Sequence, residues 1–318
     1  MSQPTIAVHR PPVPAARPIV SFSPLVLDVP GRAVPIEARV VAPATGDQLP
    51  VMLFSHGHGS SNFLASMRGY GPLADFYAAC GYVVILPTHL SSKTLALDAD
   101  GPEGALFWRS RAQDMHALLA RLADLERIVP GLAGRLDKDR VVAVGHSMGG
   151  HTVAMLAGMR VTDPKTGEVV DLSAPTLRAA VMLSPPGKGA DLAPTARERY
   201  PVLARNDFST MTLPGLVVTG DKDFNAVFSE RADWRADAYT SSPAPKSLVV
   251  LRDAGHMLGG ISGYDAKETS DENPERVAIV QRVTWAYLRS AIDPADDAWN
   301  VVAEELAKDA RNAVRVEA

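Results

Sequence analysis

Residues 144–151 read VGHSMGGH. They lie between a run with buried-strand character, Val141 to Val144, and a stretch with helix character, HTVAMLAGM. A serine at such a junction is carried out on a tight turn. The turn demands small neighbours, because a side chain at either flanking glycine would collide with the adjacent strand or helix. The pattern G-x-S-x-G arises often by chance, and a Gly-rich turn with a capping serine is the plain alternative. Its weight here comes from context: a strand before it, a helix after it, and a place midway in an alternating chain.

The alternation runs through most of the sequence. Apolar runs with strand character recur at 51–55, 82–86, 141–144, 179–184, 213–220 and 247–253. Helices are expected near 70–80, over 109–128, after Ser147, and near 225–240, 274–291 and 295–309. In the second of these, Met115, Leu118, Leu119, Leu122 and Leu125 keep helical spacing. Strands alternating with helices imply a parallel sheet covered on both faces. The segments 24–29 and 34–41, joined by a Pro-Gly turn, read as an antiparallel hairpin at one edge. A second, inserted hairpin is expected at 161–172, VTDPKTGEVVDL. The Pro-rich first 20 residues read as an extended arm, and residues 21–318 as one domain.

Bulk composition narrows the function classes. The net charge is −4 and no basic block occurs, so nucleic acid is not an expected partner. The one cysteine, Cys80, reads as a small core residue. The N-terminus lacks the charged-then-apolar layout of a secretory signal, and no apolar run is long enough to span a membrane. A cytoplasmic location is the expectation. A homo-oligomer is compatible with the sequence, which carries no signal for oligomeric state.

A serine hydroxyl is a poor nucleophile until a base takes its proton. His256, in Asp253-Ala-Gly-His-Met257 after a strand, is the candidate base. His146 and His151 flank the serine, and neighbours in such a turn point away from it. His9 and His116 fall in the arm and in a helix, and His89 follows a strand and can line the site. The base needs an acid to hold its tautomer, and the chain order should be Ser, acid, His. LPGLVVTGDKD offers Asp223, three residues after Gly220, ahead of Asp221; the other of the two is expected to cap the next helix. The oxyanion donors are expected to be the backbone N–H groups of Met148, after the serine, and of His58, in Ser55-His-Gly-His-Gly-Ser-Ser61. His56-Gly-His58 also fits a metal pattern, but no third ligand lies near it in sequence, so no metal is expected. No Walker lysine or GxGxxG loop suggests a phosphate.

Taken in order, the hairpin, the HG loop, GHSMGG, TGDKD and AGH resemble the α/β-hydrolase superfamily over roughly residues 24–291. Within it, FSHGHGSSNFLASMRGYGPLADFYAACGYVVILPTH is similar to the branch of dienelactone hydrolases, chlorophyllases and platelet-activating-factor acetylhydrolases. The resemblance implies an α/β-hydrolase fold: a mostly parallel sheet, an N-terminal antiparallel hairpin, and helices on both faces. It also implies ester cleavage without metal or cofactor, with Ser147, Asp223 and His256 as the triad and Met148 and His58 as oxyanion donors. Two departures stand out. The dienelactone enzymes carry a cysteine where this chain has Ser147, and only residues 185–212 are available for a cap, so no large cap domain is expected.

Phe63, Met67, Trp108, Phe208, Met211 and Met257 fall on the loops at the expected catalytic edge and together suggest an apolar substrate pocket. The segment 259–273 reads either as a lid or as a plain exposed connection. The leading expectation is a serine hydrolase that cleaves carboxylic esters with an apolar acyl or alcohol part, through an acyl-enzyme. The alternatives are an amidase or peptidase on the same triad, and a non-catalytic binding module of this fold. The natural ester is left open.

Overall fold

The computed structural model describes residues 15–101, 103–243, 245–308 and 313–317. Most of the expected arm, residues 1–14, lies outside the described residues. The arm's last two positions belong to the first strand.

The chain opens with β1 (Ile19–Leu27), β2 (Ile36–Pro43), β3 (Leu49–Ser55), α1 (Gly71–Ala79) and β4 (Val83–Pro87). It continues with α2 (Trp108–Ala120), α3 (Leu122–Ile128), β5 (Leu136–His146), α4 (Met148–Leu156), β6 (Arg160–Thr162), β7 (Val169–Val170) and β8 (Leu177–Leu183). The last third holds α5 (Pro194–Arg199), β9 (Asn206–Asp207), β10 (Gly215–Gly220), α6 (Asp237–Thr240), β11 (Lys246–Leu251), α7 (Pro274–Ile292), α8 (Ala298–Lys308) and β12 (Val314–Glu317).

Nine strands form one sheet in the order β1-β2-β4-β3-β5-β8-β10-β11-β12. The run from β4 to β11 is parallel, and the hairpin β1–β2 adds the expected antiparallel edge. A second antiparallel edge, β12 on β11, was not expected. The inserted hairpin forms as β6 and β7, and β9 joins it in a separate small sheet.

Alternation along each strand divides the core in two. Val51, Leu53, Val141 and Ala143 pack on one face with the helices α2, α3 and α4. Met52, Phe54, Val142 and Val144 pack on the other with α1, α7 and α8. The expected helix over 109–128 is two helices, interrupted at Arg121. The expected helix at 225–240 is mostly turns, ending in α6. Between β8 and β10 the chain holds only the short α5, the two-residue β9 and single helical turns.

The carboxyl ends of β3, β5, β8, β10 and β11 therefore share one edge of the sheet, where ligand sites of open α/β sheets form. No described helix is long and apolar enough to cross a membrane.

Candidate active site

Ser147 connects β5 directly to α4 with φ 54° and ψ −118°. That conformation costs a non-glycine residue on the order of 1–3 kcal/mol and persists only where neighbours enforce it. The enforcement is visible. The Ser147 N–H donates to the Leu183 carbonyl at 2.8 Å, and the Ser147 carbonyl accepts from His151 at 3.1 Å. A Cβ at Gly145 would lie 2.1 Å from the Gly149 carbonyl oxygen, and one at Gly149 would lie 1.9 Å from that of Ser55. Backbone packs on backbone at both glycines, leaving the serine side chain as the one group turned outward.

Three side chains from three strand ends converge there. His256 Nε2 lies 3.0 Å from Ser147 Oγ, and its Nδ1 lies 3.0 Å from each oxygen of Asp223. Asp223 follows β10 and His256 follows β11, and the two turns are joined by the Lys222 N–H donating to the Ala254 carbonyl at 3.0 Å. Asp221 does not cap a helix. Its Oδ1 accepts the Asp253 N–H at 2.7 Å and clamps the same pair of turns.

Asp223 is buried, and burial alone would raise its pKa. Arg235 and His256 override it and hold the carboxyl well below the usual carboxylate range. Arg235 donates through Nε to Asp223 Oδ1 at 3.0 Å and through Nη1 to the carbonyls of Ser184 and Pro185.

His146 touches the site as well, although it flanks the serine in sequence. Its Nε2–H donates to the His256 carbonyl at 2.8 Å, and its Nδ1 accepts from the Tyr70 hydroxyl at 2.9 Å. Burial, with His256 beside it, pushes the His146 pKa down to about 3. His89 is displaced from the site. It is buried, with Nε2 on Ser55 Oγ and Nδ1 on Asp114, both at 2.9 Å.

Ser147, Asp223 and His256 open onto a cavity of about 360 Å³, which Met148 and His58 also line. Met148 is the first residue of α4, so its N–H has no intrahelical partner. Among the described residues no acceptor is found for it or for the His58 N–H. Ser147, Met148 and His58 thus border one space. Burial, then the charge of Arg111, pushes the His58 imidazole down to about 4.

Residues 52–312 match the model of the alpha/beta hydrolase family. The chain belongs to that family. A search of curated proteins returns no match. Ser147 stands at the strand-to-helix turn after β5, in the middle of the nine-stranded sheet.

The substrate side of this hydrolase differs from the sequence expectation. Phe63, Met67, Trp108, Phe208, Met211 and Met257 do not line the cavity. Trp108, Phe208 and Met211 are buried in one core cluster and Met257 in the other, with Phe63 packed against the latter. Met67 faces the hairpin, where its sulfur lies 3.5 Å from Ser23 Oγ. Loops at this edge fold back onto the sheet, and their large apolar side chains close the two cores. The cavity wall comes instead mostly from later in the chain: Pro186, Tyr200, Leu203, Phe224, Phe228 and Trp234, together with Leu106. Tyr200, Phe228 and Trp234 form a stacked row, with ring centroids 6.1 and 6.4 Å apart.

The segment 259–273 is pinned at both ends of the site. Glu268 accepts from the Ser61 N–H and hydroxyl at 2.8 and 2.7 Å, beside the HG loop. Asp271 accepts the N–H groups of Gly255 and Gly259 at 2.8 and 3.0 Å, around His256. Leu258, Ile261 and Ser262 are buried.

Proposed function

We propose that this alpha/beta hydrolase is a serine carboxylic-ester hydrolase that needs no cofactor and works through an acyl-enzyme. The reading is carried by one observation: the relay Ser147 Oγ to His256 Nε2 to Asp223, at 3.0 Å per step, opens onto a cavity also lined by Met148 and His58, for whose N–H groups no acceptor is found among the described residues.

In this reading His256 takes the Ser147 proton as Oγ bonds to the ester carbonyl carbon. The π electron pair moves onto the carbonyl oxygen, which the N–H groups of Met148 and His58 receive. Collapse breaks the bond to the alkoxide, which leaves with the proton from His256. Water then repeats the sequence on the acyl-enzyme and releases the acid. Asp223 holds the imidazole tautomer and offsets its charge. The aromatic row supports an ester with an apolar, flat or flexible group seated against Tyr200, Phe228 and Trp234. The likeness of the HG loop to the dienelactone hydrolase, chlorophyllase and acetylhydrolase branch points to the same chemistry.

The test is hydrolysis of p-nitrophenyl esters from acetate to palmitate by the native chain and Ser147→Ala. The expected result is a loss of at least about 10³-fold in kcat in the variant, with a chain-length optimum in the native protein. Equal rates in the two would overturn the reading. Cleavage of the matching p-nitroanilides at comparable kcat/KM would favour an amidase.

A further inference from the structure

Arg111, on the first turn of α2, is completely buried beneath the HG loop. Its donors all go to neutral acceptors: Nε to Thr152 Oγ1 at 3.0 Å, Nη1 to Ser91 Oγ at 2.6 Å, and Nη2 to Ser55 Oγ and the His56 carbonyl. The nearest acid on its own helix, Asp114, is committed elsewhere. It pairs with Arg32 at 2.7 Å and with His89 at 2.9 Å. A buried cation without a carboxylate partner is expensive to keep. What distinguishes this one is where its acceptors lead.

One path leads to Met148. Thr152 Oγ1, which accepts from Arg111, itself donates to the Met148 carbonyl at 3.0 Å. The first turn of α4 is thus held from below.

The other path leads to His58. Arg111 holds the His56 carbonyl, and the Gly57 N–H of that peptide donates to Tyr70 Oη at 2.9 Å, so the peptide is gripped at both ends. In the next peptide, His56 Nδ1 lies 2.6 Å from the Gly57 carbonyl. His56 Nε2 accepts the His89 N–H at 3.0 Å, which fixes the ring proton on Nδ1 and makes it the donor. In a trans peptide the N–H points opposite to the C=O. The His58 N–H is therefore turned away from the His56 imidazole, which leaves it free of that ring.

We infer that Arg111 is a positioning residue of the oxyanion hole: one buried guanidinium anchors the peptide next to each donor, at the Met148 carbonyl through Thr152 and at the His56 carbonyl directly. The inference rests on the serine-hydrolase reading. Arg111 touches no substrate atom. It restrains the Met148–Gly149 peptide in α4 and the His56–Gly57 peptide in the HG loop, each one peptide away from a donor N–H, which limits the freedom of both before charge develops on the substrate oxygen.

The test uses the full chain with p-nitrophenyl butyrate as substrate and an aryl trifluoromethyl ketone as inhibitor. The ketone reports the hole directly. Ser147 Oγ bonds to its carbonyl carbon, the serine proton passes to His256, the π pair becomes an oxyanion, and nothing leaves. Arg111→Met should lower kcat roughly 10²-fold with KM within about twofold, and Thr152→Val should lower it about tenfold. The ketone inhibition constant should rise by the same factor as kcat falls. Arg111→Lys, which keeps the charge but not the fork, should lie between native and Arg111→Met. The double variant with Thr152→Val should fall no further than Arg111→Met alone.

Three results would each overturn the inference: native kcat in the Arg111 and Thr152 variants, a loss matching only the folded fraction seen by circular dichroism, or unchanged ketone binding beside a lowered kcat. If Arg111→Met does not fold, Arg111→Lys and Thr152→Val decide the matter by the same criteria. Native rates in Ser147→Ala would overturn the hydrolase reading and this inference with it. Inactive Ser147→Ala beside fully active Arg111 variants would overturn the inference alone.

Discussion

Arg235 and Asp223 form a buried ion pair at 3.0 Å, and the same carboxylate faces His256 at the same distance. The candidate acid is thus shared between a permanent cation and an imidazole.

Removing that cation should be costly for the fold. Breaking a buried pair by deleting one partner costs about 3–5 kcal/mol, and His256 still offsets part of the stranded charge, so Arg235→Met should lose about 3 kcal/mol. The sign with pH is fixed by the lowered Asp223 pKa. The pair contributes fully above the unfolded carboxylate value, near 4, and its contribution fades as pH falls below that. Urea unfolding of both forms at several pH values should show a gap that is full at pH 7 and narrows below about pH 4.

Acid should destabilise this protein early, through its histidines. His146 and His151 are completely buried and held near 3 and 4, and His56 and His89 are also pushed down by burial and then by the charge of Arg111. The unfolded chain takes up protons on these rings near pH 6.5, and the folded chain does not. Their contribution is complete above that pH and is lost as pH falls toward the folded values, at on the order of 1.4 kcal/mol per pH unit for each ring. His151→Gln should flatten the fall in stability between pH 6.5 and 4 by about that slope. An unchanged slope would refute the assignment.

Glycine at 149 is a requirement of space. Gly149→Ala would drive a Cβ to 1.9 Å from the Ser55 carbonyl oxygen, while at Gly71 nothing lies within 4 Å. Gly149→Ala should lower stability by at least about 3 kcal/mol. Gly71→Ala should be neutral or stabilising by up to about 1 kcal/mol. Thermal unfolding of the two variants makes the comparison.

The aromatic row predicts the direction of a specificity change. Phe228 sits between Tyr200 and Trp234 on the cavity wall. Phe228→Ala should raise the octanoate-to-butyrate ratio of kcat/KM about tenfold for p-nitrophenyl esters. A ratio unmoved would mean the acyl group lies elsewhere.

The architecture and the central relay were legible because their signals are local. A serine with glycines two residues to either side, a strand before and a helix after, states a backbone geometry that few folds supply. The offset of Asp223 from Gly220 and the turn around His256 are equally short-range. Arg111 and Arg235 were not legible. Each stands in a stretch with other charged residues, Arg111 near Arg109 and Asp114, and Arg235 near Asp233 and Asp237, and reads as a surface cation, while its burial depends on acceptors from distant segments. The cavity wall was missed for a related reason. Loop apolar residues such as Trp108 and Met211 have the same composition whether they face a cleft or seal a core, and the segment holding Phe228 and Trp234 carried a helical pattern over backbone that runs mostly as turns. β12 is only four residues long, VRVE, too short for alternation to mark it.

The candidate triad and most of the cavity wall are carried by different kinds of segment. Ser147, Asp223, His256 and the HG loop sit on strand ends, while most other wall residues lie in two stretches on either side of β10 and Asp223, 186–203 and 224–234. Replacing those two stretches while keeping β10 and Asp223 would be a way to change the cavity wall without disturbing the relay. For redesign, the wall can be treated as two grafts around a fixed strand end, with Asp223 the boundary that neither graft crosses.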